Sequence, residues 1–315
     1  MRSNHELSYL VAIAKRYFED GLSQQQIAEE FGISRPTVSN LLKRCRSEGI
    51  VNIRIMEPDL PDNTLHEALM NRFGIRRAIV AETRYSSQGT LESVGEAAAR
   101  YLEGVLTPQS RLGVSWGSTL FQVVRHMPHM DLQGIEVLQL VGGTCAENPN
   151  YDGFEVARAL SVRLHGSYRI LPAPILVHDD DLHERLTREP AIARHLEYLD
   201  TVTTILAGVT SNHPDESALV RAGLISREES AALYENNIIG HINGYHFTSS
   251  GVFPDIALNR RIVGIPLAHH RSTELVITAC GAAKIQVIHA ILLSGLVNVL
   301  VTDEHTALGI LNYQA

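Results

Sequence analysis

Apolar side chains return every three or four positions over Leu7, Leu10, Val11, Ala14, Tyr17 and Phe18, which lays one stripe along a helix. Gly21 stops it. Ser23 opens a second helix with Gln26 as its capping-box partner, and Ile27, Ala28 and Phe31 form the inner face. Gly32 breaks that helix, and Ser34 caps a third in which Pro36 occupies the tolerant first turn. Val38, Leu41, Leu42 and Cys45 point inward until Gly49 ends the run. Val51, Ile53 and Ile55 then alternate as a short strand, and the prolines and turn formers of residues 57–62 read as a linker.

Beyond residue 63 the pattern changes. Short β-rich runs at 77–83, 110–115, 135–141, 202–207, 275–279 and 297–301 alternate with helical periodicity near 90–106, 118–127, 153–164, 226–235, 283–293 and 304–312. Alternation of this kind predicts a largely parallel sheet with helices on both faces. The expected division is a helix-turn-helix domain at 1–56, a linker at 57–62 and a larger Rossmann-like α/β domain at 63–315. Such sheets bind ligands beyond the carboxyl ends of their strands, so chemistry is sought there.

Charge sharpens the division. The chain has 35 acidic against 27 basic residues, a net charge of -8, which excludes a protein that coats nucleic acid along its whole length. Residues 34–54, however, carry Arg35, Lys43, Arg44, Arg46 and Arg54 against the single acid Glu48. A basic segment on an acidic body suits a protein that grips phosphates at one end. The three cysteines, Cys45, Cys145 and Cys280, lie far apart and form neither a disulfide framework nor a zinc motif. With no signal peptide and no 18-residue apolar run, a cytoplasmic chain without membrane contact is expected.

Two short helices joined by Gly32-Ile33-Ser34 fit a helix-turn-helix whose third helix reads the major groove. With Val38, Leu41 and Leu42 inward, the outer set is Ser34, Arg35, Pro36, Thr37, Ser39, Asn40, Lys43 and Arg44. Asn and Arg can read base edges, while Lys43, Arg44 and Arg46 can meet phosphates. The strand after Gly49 would be the wing of a winged variant.

Residues 21–42, together with Gly113-Val-Ser-Trp-Gly-Ser-Thr, Val137-Leu-Gln-Leu-Val-Gly-Gly, Leu171-Pro-Ala-Pro, Lys284 and Val297-Asn-Val-Leu-Val-Thr-Asp, resemble the SorC family of sugar-responsive bacterial transcriptional regulators. Within it they look most like the deoxyribonucleoside-regulator branch. The resemblance spans nearly the whole chain. It implies a sugar-binding domain similar in fold to sugar-phosphate isomerases and deaminases, and a homo-oligomer, tetrameric as in relatives.

The strand ends supply the candidate effector site for a sugar, polyol or sugar phosphate. Ser115, Gly117, Ser118 and Thr119 occupy a strand-to-helix turn that suits an anion. Gly142, Gly143 and Thr144 follow the next strand, and Lys284 opens a helix after another. Trp116, the sole tryptophan, should border the ligand. No cofactor or metal is predicted. His178-Asp-Asp-Asp-Leu-His183 reads as a polar loop leading into a helix, and His126/His129 and His269/His270 have no third ligand nearby.

Two enzymatic readings compete. Gly113-Val-Ser115-Trp-Gly117 matches the G-x-S-x-G nucleophile elbow, yet no acid and later histidine follow clear strands in the required order. A sugar-phosphate isomerase- or deaminase-like enzyme fused to a DNA-binding module is the stronger rival and needs a carboxylate base. By the resemblance, relatives carry acids where this chain has His241 and Thr248, and some carry a lysine where it has Val141. These departures favour binding without turnover.

Overall fold

The computed structural model describes residues 4–47, 50, 51, 63–144, 148–267 and 273–314. The chain divides into two compact units, Met1–Leu60 and Pro61–Ala315. Within the first lie α1 (Asn4–Phe18), α2 (Gln24–Phe31) and α3 (Arg35–Ser47). Their apolar stripes meet: Leu10, Ile13, Ala14, Ile27, Ala28, Val38, Leu42 and Cys45 are all buried. The Ser23–Gln26 capping box forms at the start of α2, and Gly32 ends that helix in the left-handed region (φ 65°), where a glycine carries no Cβ penalty. Residues 52–62, which hold the whole linker and the expected wing strand apart from Val51, lie outside the described residues, as do His269 and His270.

The second unit runs α4 (Asn63–Phe73), β1 (Arg77–Ala81), α5 (Ser87–Val105), β2 (Arg111–Val114), α6 (Ser118–His126), β3 (Glu136–Gln139), α7 (Gly153–Leu164), β4 (Ser167–Arg169), α8 (Asp180–Thr187) and α9 (Pro190–Leu199). It continues with β5 (Thr204–Ala207), β6 (Val209–Ser211), α10 (Ala218–Arg221), α11 (Arg227–Glu235), β7 (Gly240–Ile242), β8 (Tyr245–Phe247), α12 (Ala257–Arg260), β9 (Glu274–Thr278), α13 (Ile285–Leu293), β10 (Val299–Asp303) and α14 (Glu304–Asn312).

Seven strands of the described residues form one sheet in the order β1-β10-β9-β5-β2-β3-β4, and each neighbouring pair is parallel. Its central strands are covered on both faces, which is why β5 and β10 are buried along their whole length. The order fixes where a ligand can enter. After β2 the chain steps outward through β3 to β4, then returns to place β5 against the other side of β2 and proceeds through β9 to β10. The direction of winding therefore reverses between β2 and β5, and a crevice opens beyond their carboxyl ends.

β5 runs into β6 through Gly208 alone. β6, β7 and β8 form a separate three-stranded antiparallel sheet, with Thr210 paired to His241 and His241 to His246. This small sheet stands at the mouth of the crevice. No helix of the described residues is long and apolar enough to cross a membrane.

Candidate functional site

Eight residues of the first unit were expected to face DNA. Ser34, Arg35, Pro36, Thr37, Asn40 and Lys43 are exposed, and Ser39 and Arg44 are half-buried. On the opposite side of α3, Val38, Leu42 and Cys45 are sealed in the core. Ser34 works partly as a cap: its hydroxyl accepts the Thr37 amide at 3.3 Å and lies 2.8 Å from the Thr37 hydroxyl. The α3 surface thus offers Arg35, Asn40 and Lys43 on a rigid helix, the geometry that major-groove readers use. Arg46 lies over the Phe18 ring, 5.6 Å from its centroid.

In the second unit a cavity of about 240 Å³ lies at the carboxyl ends of β2 and β5. It falls below the roughly 300 Å³ at which drug-sized pockets begin, so it suits a small ligand. The turn from β2 into α6 forms one wall, with Ser115, Trp116, Gly117, Ser118 and Thr119. The Ser115 amide donates to the Leu206 carbonyl at 3.1 Å, and the Gly117 amide to the Tyr151 carbonyl at 2.8 Å. Gly117 has φ 120°, which a side chain rarely adopts, and no side chain caps the helix that begins at Ser118. An uncapped helix start beside a cavity is a positive pole with amides to offer. Gly113, the first glycine of the G-x-S-x-G match, has a packing role: a Cβ there would come within 2.5 Å of Leu140 Cδ2.

Lys284 reaches the cavity from the start of α13, and Arg221 from the end of α10. Burial pulls the Lys284 ammonium below the usual lysine range; Arg221 acts in the same direction, while Cys280 and Glu216 oppose it. A half-buried cation of this kind favours an arriving anion. No carboxylate is among the described residues that line the cavity.

The small sheet supplies the remaining wall through His241 and Asn243, both 2% exposed. The His241 ring lies nearly parallel to Trp116, at 17° with centroids 6.4 Å apart, and leans on His246 at 5.3 Å. Burial, with Lys284 and Arg221 adding to it, drives the His241 imidazole down to about 3, so it is neutral near pH 7. Behind it, the Asn212 amide contacts His246 Nδ1 at 2.9 Å. Five side-chain atoms here have no hydrogen-bond partner among the described residues: Asn212 Oδ1, His241 Nε2, Asn243 Oδ1 and Nδ2, and His246 Nε2.

Of the residues expected at the effector site, Ser115, Gly117, Ser118, Thr119 and Lys284 line this one cavity, whereas Gly142, Gly143 and Thr144 do not. The latter hold the wall from outside. Gly142 packs on the Pro174 backbone, and the Thr144 amide and hydroxyl donate to Asp152 Oδ2 at 2.8 and 3.0 Å. Asp152 caps α7 and follows Tyr151, which lines the cavity with Asn148. Sequence reasoning had not placed Asn148, Tyr151, Arg221 or Asn243 at the site, and had weighed His241 only as a missing acid. Asn243-Gly244 between two short β-prone segments is a hairpin signal that could have found Asn243; Arg221 is a lone cation in the apolar run Ala218–Ile225, with no such mark. His183, in the His178–His183 run, is in contact with the Ile262 carbonyl at 3.0 Å.

Comparison with known proteins agrees with this architecture. Residues 60–312 match the family described as "Putative sugar-binding domain", and residues 7–60 match a Crp-like helix-turn-helix domain. The chain is 30% identical over 313 residues to the deoxyribonucleoside regulator of Bacillus subtilis (strain 168), covering 99% of each chain. It is 28% identical over 316 residues to the sorbitol operon regulator of Klebsiella pneumoniae, covering 98% of each. The crystal structure of that full-length regulator superposes with a TM-score of 0.77, at 25% identity, over 99% of this chain and all of the other. The chain belongs to the SorC family of sugar-responsive transcriptional regulators, a helix-turn-helix domain joined to a sugar-binding α/β domain.

Proposed function

We propose that this protein controls transcription of a carbohydrate or nucleoside catabolic operon, binding operator DNA through α3 and a small sugar, polyol or sugar-phosphate effector in the cavity between β2 and β5. Arg35 and Asn40 meet base edges, with Ser34, Pro36, Thr37 and Ser39 beside them. Lys43 and Arg44 meet phosphates. The effector's anionic or most polar end sits on the uncapped start of α6, against Ser118, Thr119 and Lys284. The protein acts in the cytoplasm as a homo-oligomer, a tetramer as in the family resemblance, since a helix-turn-helix needs paired copies to read a two-fold operator. The domain boundaries are 1–56 and 63–315.

One observation carries the reading of the cavity. The lining combines two cations, an uncapped helix start and buried polar atoms without partners among the described residues, all at the point where the sheet reverses direction. Buried groups left unpaired in this way cost about 1–3 kcal/mol each, which a bound ligand can recover. A sugar-phosphate isomerase or deaminase needs a general base, and the described lining offers no carboxylate. That favours a binder over an enzyme.

The test is a thermal-shift screen of sugars, polyols and their phosphates against the full chain, followed by operator titration with each hit. A true effector raises the melting temperature saturably, changes operator affinity by roughly 5- to 150-fold, and is recovered unchanged. A hit that is chemically converted would establish the enzymatic reading instead.

A further inference from the structure

One edge of the seven-stranded sheet is blocked and the other is left open. At β1 the carbonyl of Ala78 is in contact with the His66 ring at 2.9 Å, so a side chain occupies that edge. β4 ends the order at the other side, and Ser167, Tyr168 and Arg169 are all exposed. The Ser167 amide donates inward to the Ile135 carbonyl at 3.0 Å. Main-chain groups alternate along a strand, so those of Tyr168 and Ile170 point away from the sheet. No partner for them lies among the described residues.

The side chains at the open edge are apolar. Tyr168 and Ile170 are 42% and 41% exposed, and Phe154 and Val162 of α7 are 39% and 59% exposed. Tyr168 stands in register with Val137, so it points to the sheet face that α7 covers. There its ring meets Phe154, with centroids 6.2 Å apart. Phe154, Arg158 and Val162 recur four residues apart, one stripe along α7. Elsewhere in the second unit such exposed side chains come one to an element and need no explanation. An unguarded strand edge flanked by an apolar stripe is a surface that proteins cover.

This surface is complementary to itself. When two β4 strands meet antiparallel about a two-fold axis at Arg169, Tyr168 of one and Ile170 of the other exchange both main-chain hydrogen bonds, and the axis repeats the pair. Their side chains then face each other as aromatic and β-branched partners. Because α7 covers β3 and β4, the two α7 helices come to lie about 10 Å apart, the distance at which helices pack. Phe154 then meets the partner's Val162, and Arg158 falls at the middle of the contact. Each Arg158 arrives bound to Glu155 at 2.6 and 2.8 Å, so the four charges sum to zero and can pair across the axis. On the other sheet face each Arg169 is drawn off the axis by Glu136 at 3.1 Å and by the Tyr198 ring, 4.2 Å from its centroid. A foreign peptide would satisfy the strand edge but leave the α7 stripe in water.

We infer that the β4 edge and the exposed stripe of α7 are the contact surface for a second copy of this chain, joining two seven-stranded sheets edge to edge. The assignment deepens the homo-oligomer reading, on which it rests, and is independent of what the effector is. The contact closes on its own two-fold, so a tetramer needs a second, different surface.

The test places charge at the α7 positions that face each other. Phe154 and Val162 are replaced together by Glu in one full-length variant and by Lys in another, and sedimentation velocity over a range of concentrations gives the assembly of each. Both double variants are expected to lose one step of association, tetramer to dimer or dimer to monomer. Like charge across the axis should raise the dissociation constant of that step at least about tenfold. Mixing the two in equal amounts should restore the parent's assembly, because every Glu then faces a Lys. Ile170→Pro removes an outward amide without touching the bonds to β3, and should weaken the same step.

Unchanged assembly in the double variants or in Ile170→Pro, or a mixture that stays dissociated, would overturn the assignment and leave the homo-oligomer reading standing. A parent chain that is monomeric at every concentration would overturn both.

Discussion

At the residue scale, the α3 surface separates sequence reading from phosphate attraction. Arg35→Ala and Asn40→Ala are each expected to weaken operator binding by about 1–3 kcal/mol and to relax specificity at the base concerned. Lys43→Ala should weaken all DNA sequences alike and lower the salt slope by about one. Titration at three salt concentrations distinguishes the two patterns, and unchanged operator affinity in all three variants would mean that α3 does not read DNA. In the cavity, Gly117→Val should abolish effector binding, because a branched side chain cannot hold φ 120° without strain and the amides behind it would move. Intrinsic fluorescence reports this directly, as Trp116 is the only tryptophan and stands in the same turn.

The buried histidines set a pH dependence of known sign. His241 is held near 3 in the folded chain by burial and by its two cationic neighbours, against an ordinary value of 6.5 when unfolded. As pH falls below about 6.5 the unfolded chain binds the proton first, so this contribution to stability is complete above that pH and is lost on the way down towards 3. His195, His246 and His289 are lowered too, each chiefly by burial. Each can cost up to about 1.4 kcal/mol per pH unit. The melting temperature should stay level between pH 7 and 8 and fall from pH 6.5 to 5, less steeply in H241F. A flat profile across that range would mean that these rings are charged or solvated in the native state.

At the scale of elements, what could be read beforehand depended on whether a segment carried a period or a cap. α2 and α3 announce themselves because stripe, capping residue and terminating glycine coincide. Ser23→Ala should therefore cost about 1 kcal/mol in chemical denaturation, with Asp152→Ala similar or larger because Asp152 also holds Thr144. The buried parallel strands β2, β3, β5, β9 and β10 show as short apolar runs. β4 does not, since Ser167, Tyr168 and Arg169 are all exposed at the sheet edge. The antiparallel sheet escaped for a different reason: strands of three residues are too short to display a period. That is also why the site was half legible. Ser115 to Thr119 and Lys284 follow readable strands, but His241, Asn243 and Arg221 arrive on the short elements, and their convergence is a property of the tertiary fold. Gly142 and Gly143 read as ligand glycines because a strand precedes them; in the fold a Cβ on Gly142 would meet the Pro174 backbone, and one on Gly143 would lie 3.6 Å from Asp152 Oδ2.

At the scale of the whole molecule, the second unit has its own core on both sheet faces and should fold without the first. Residues 63–315 are expected to retain cooperative unfolding, oligomer formation and the effector-induced change in Trp116 fluorescence, and to lose operator binding. An insoluble or ligand-blind fragment would argue that the two units complete each other.

The unpaired groups around the cavity also bear on how long the protein survives in a cell. An empty regulator leaves His241 Nε2 and both amide atoms of Asn243 without a partner among the described residues, so it is the less stable of the two forms. Effector at one hundred times its dissociation constant adds about 2.7 kcal/mol, which lowers the globally opened fraction about a hundredfold. Proteases that act on opened chains are slowed by the same factor when opening and closing outpace cleavage. The metabolite that alters the regulator's grip on its operator would then also decide how many copies of the regulator persist.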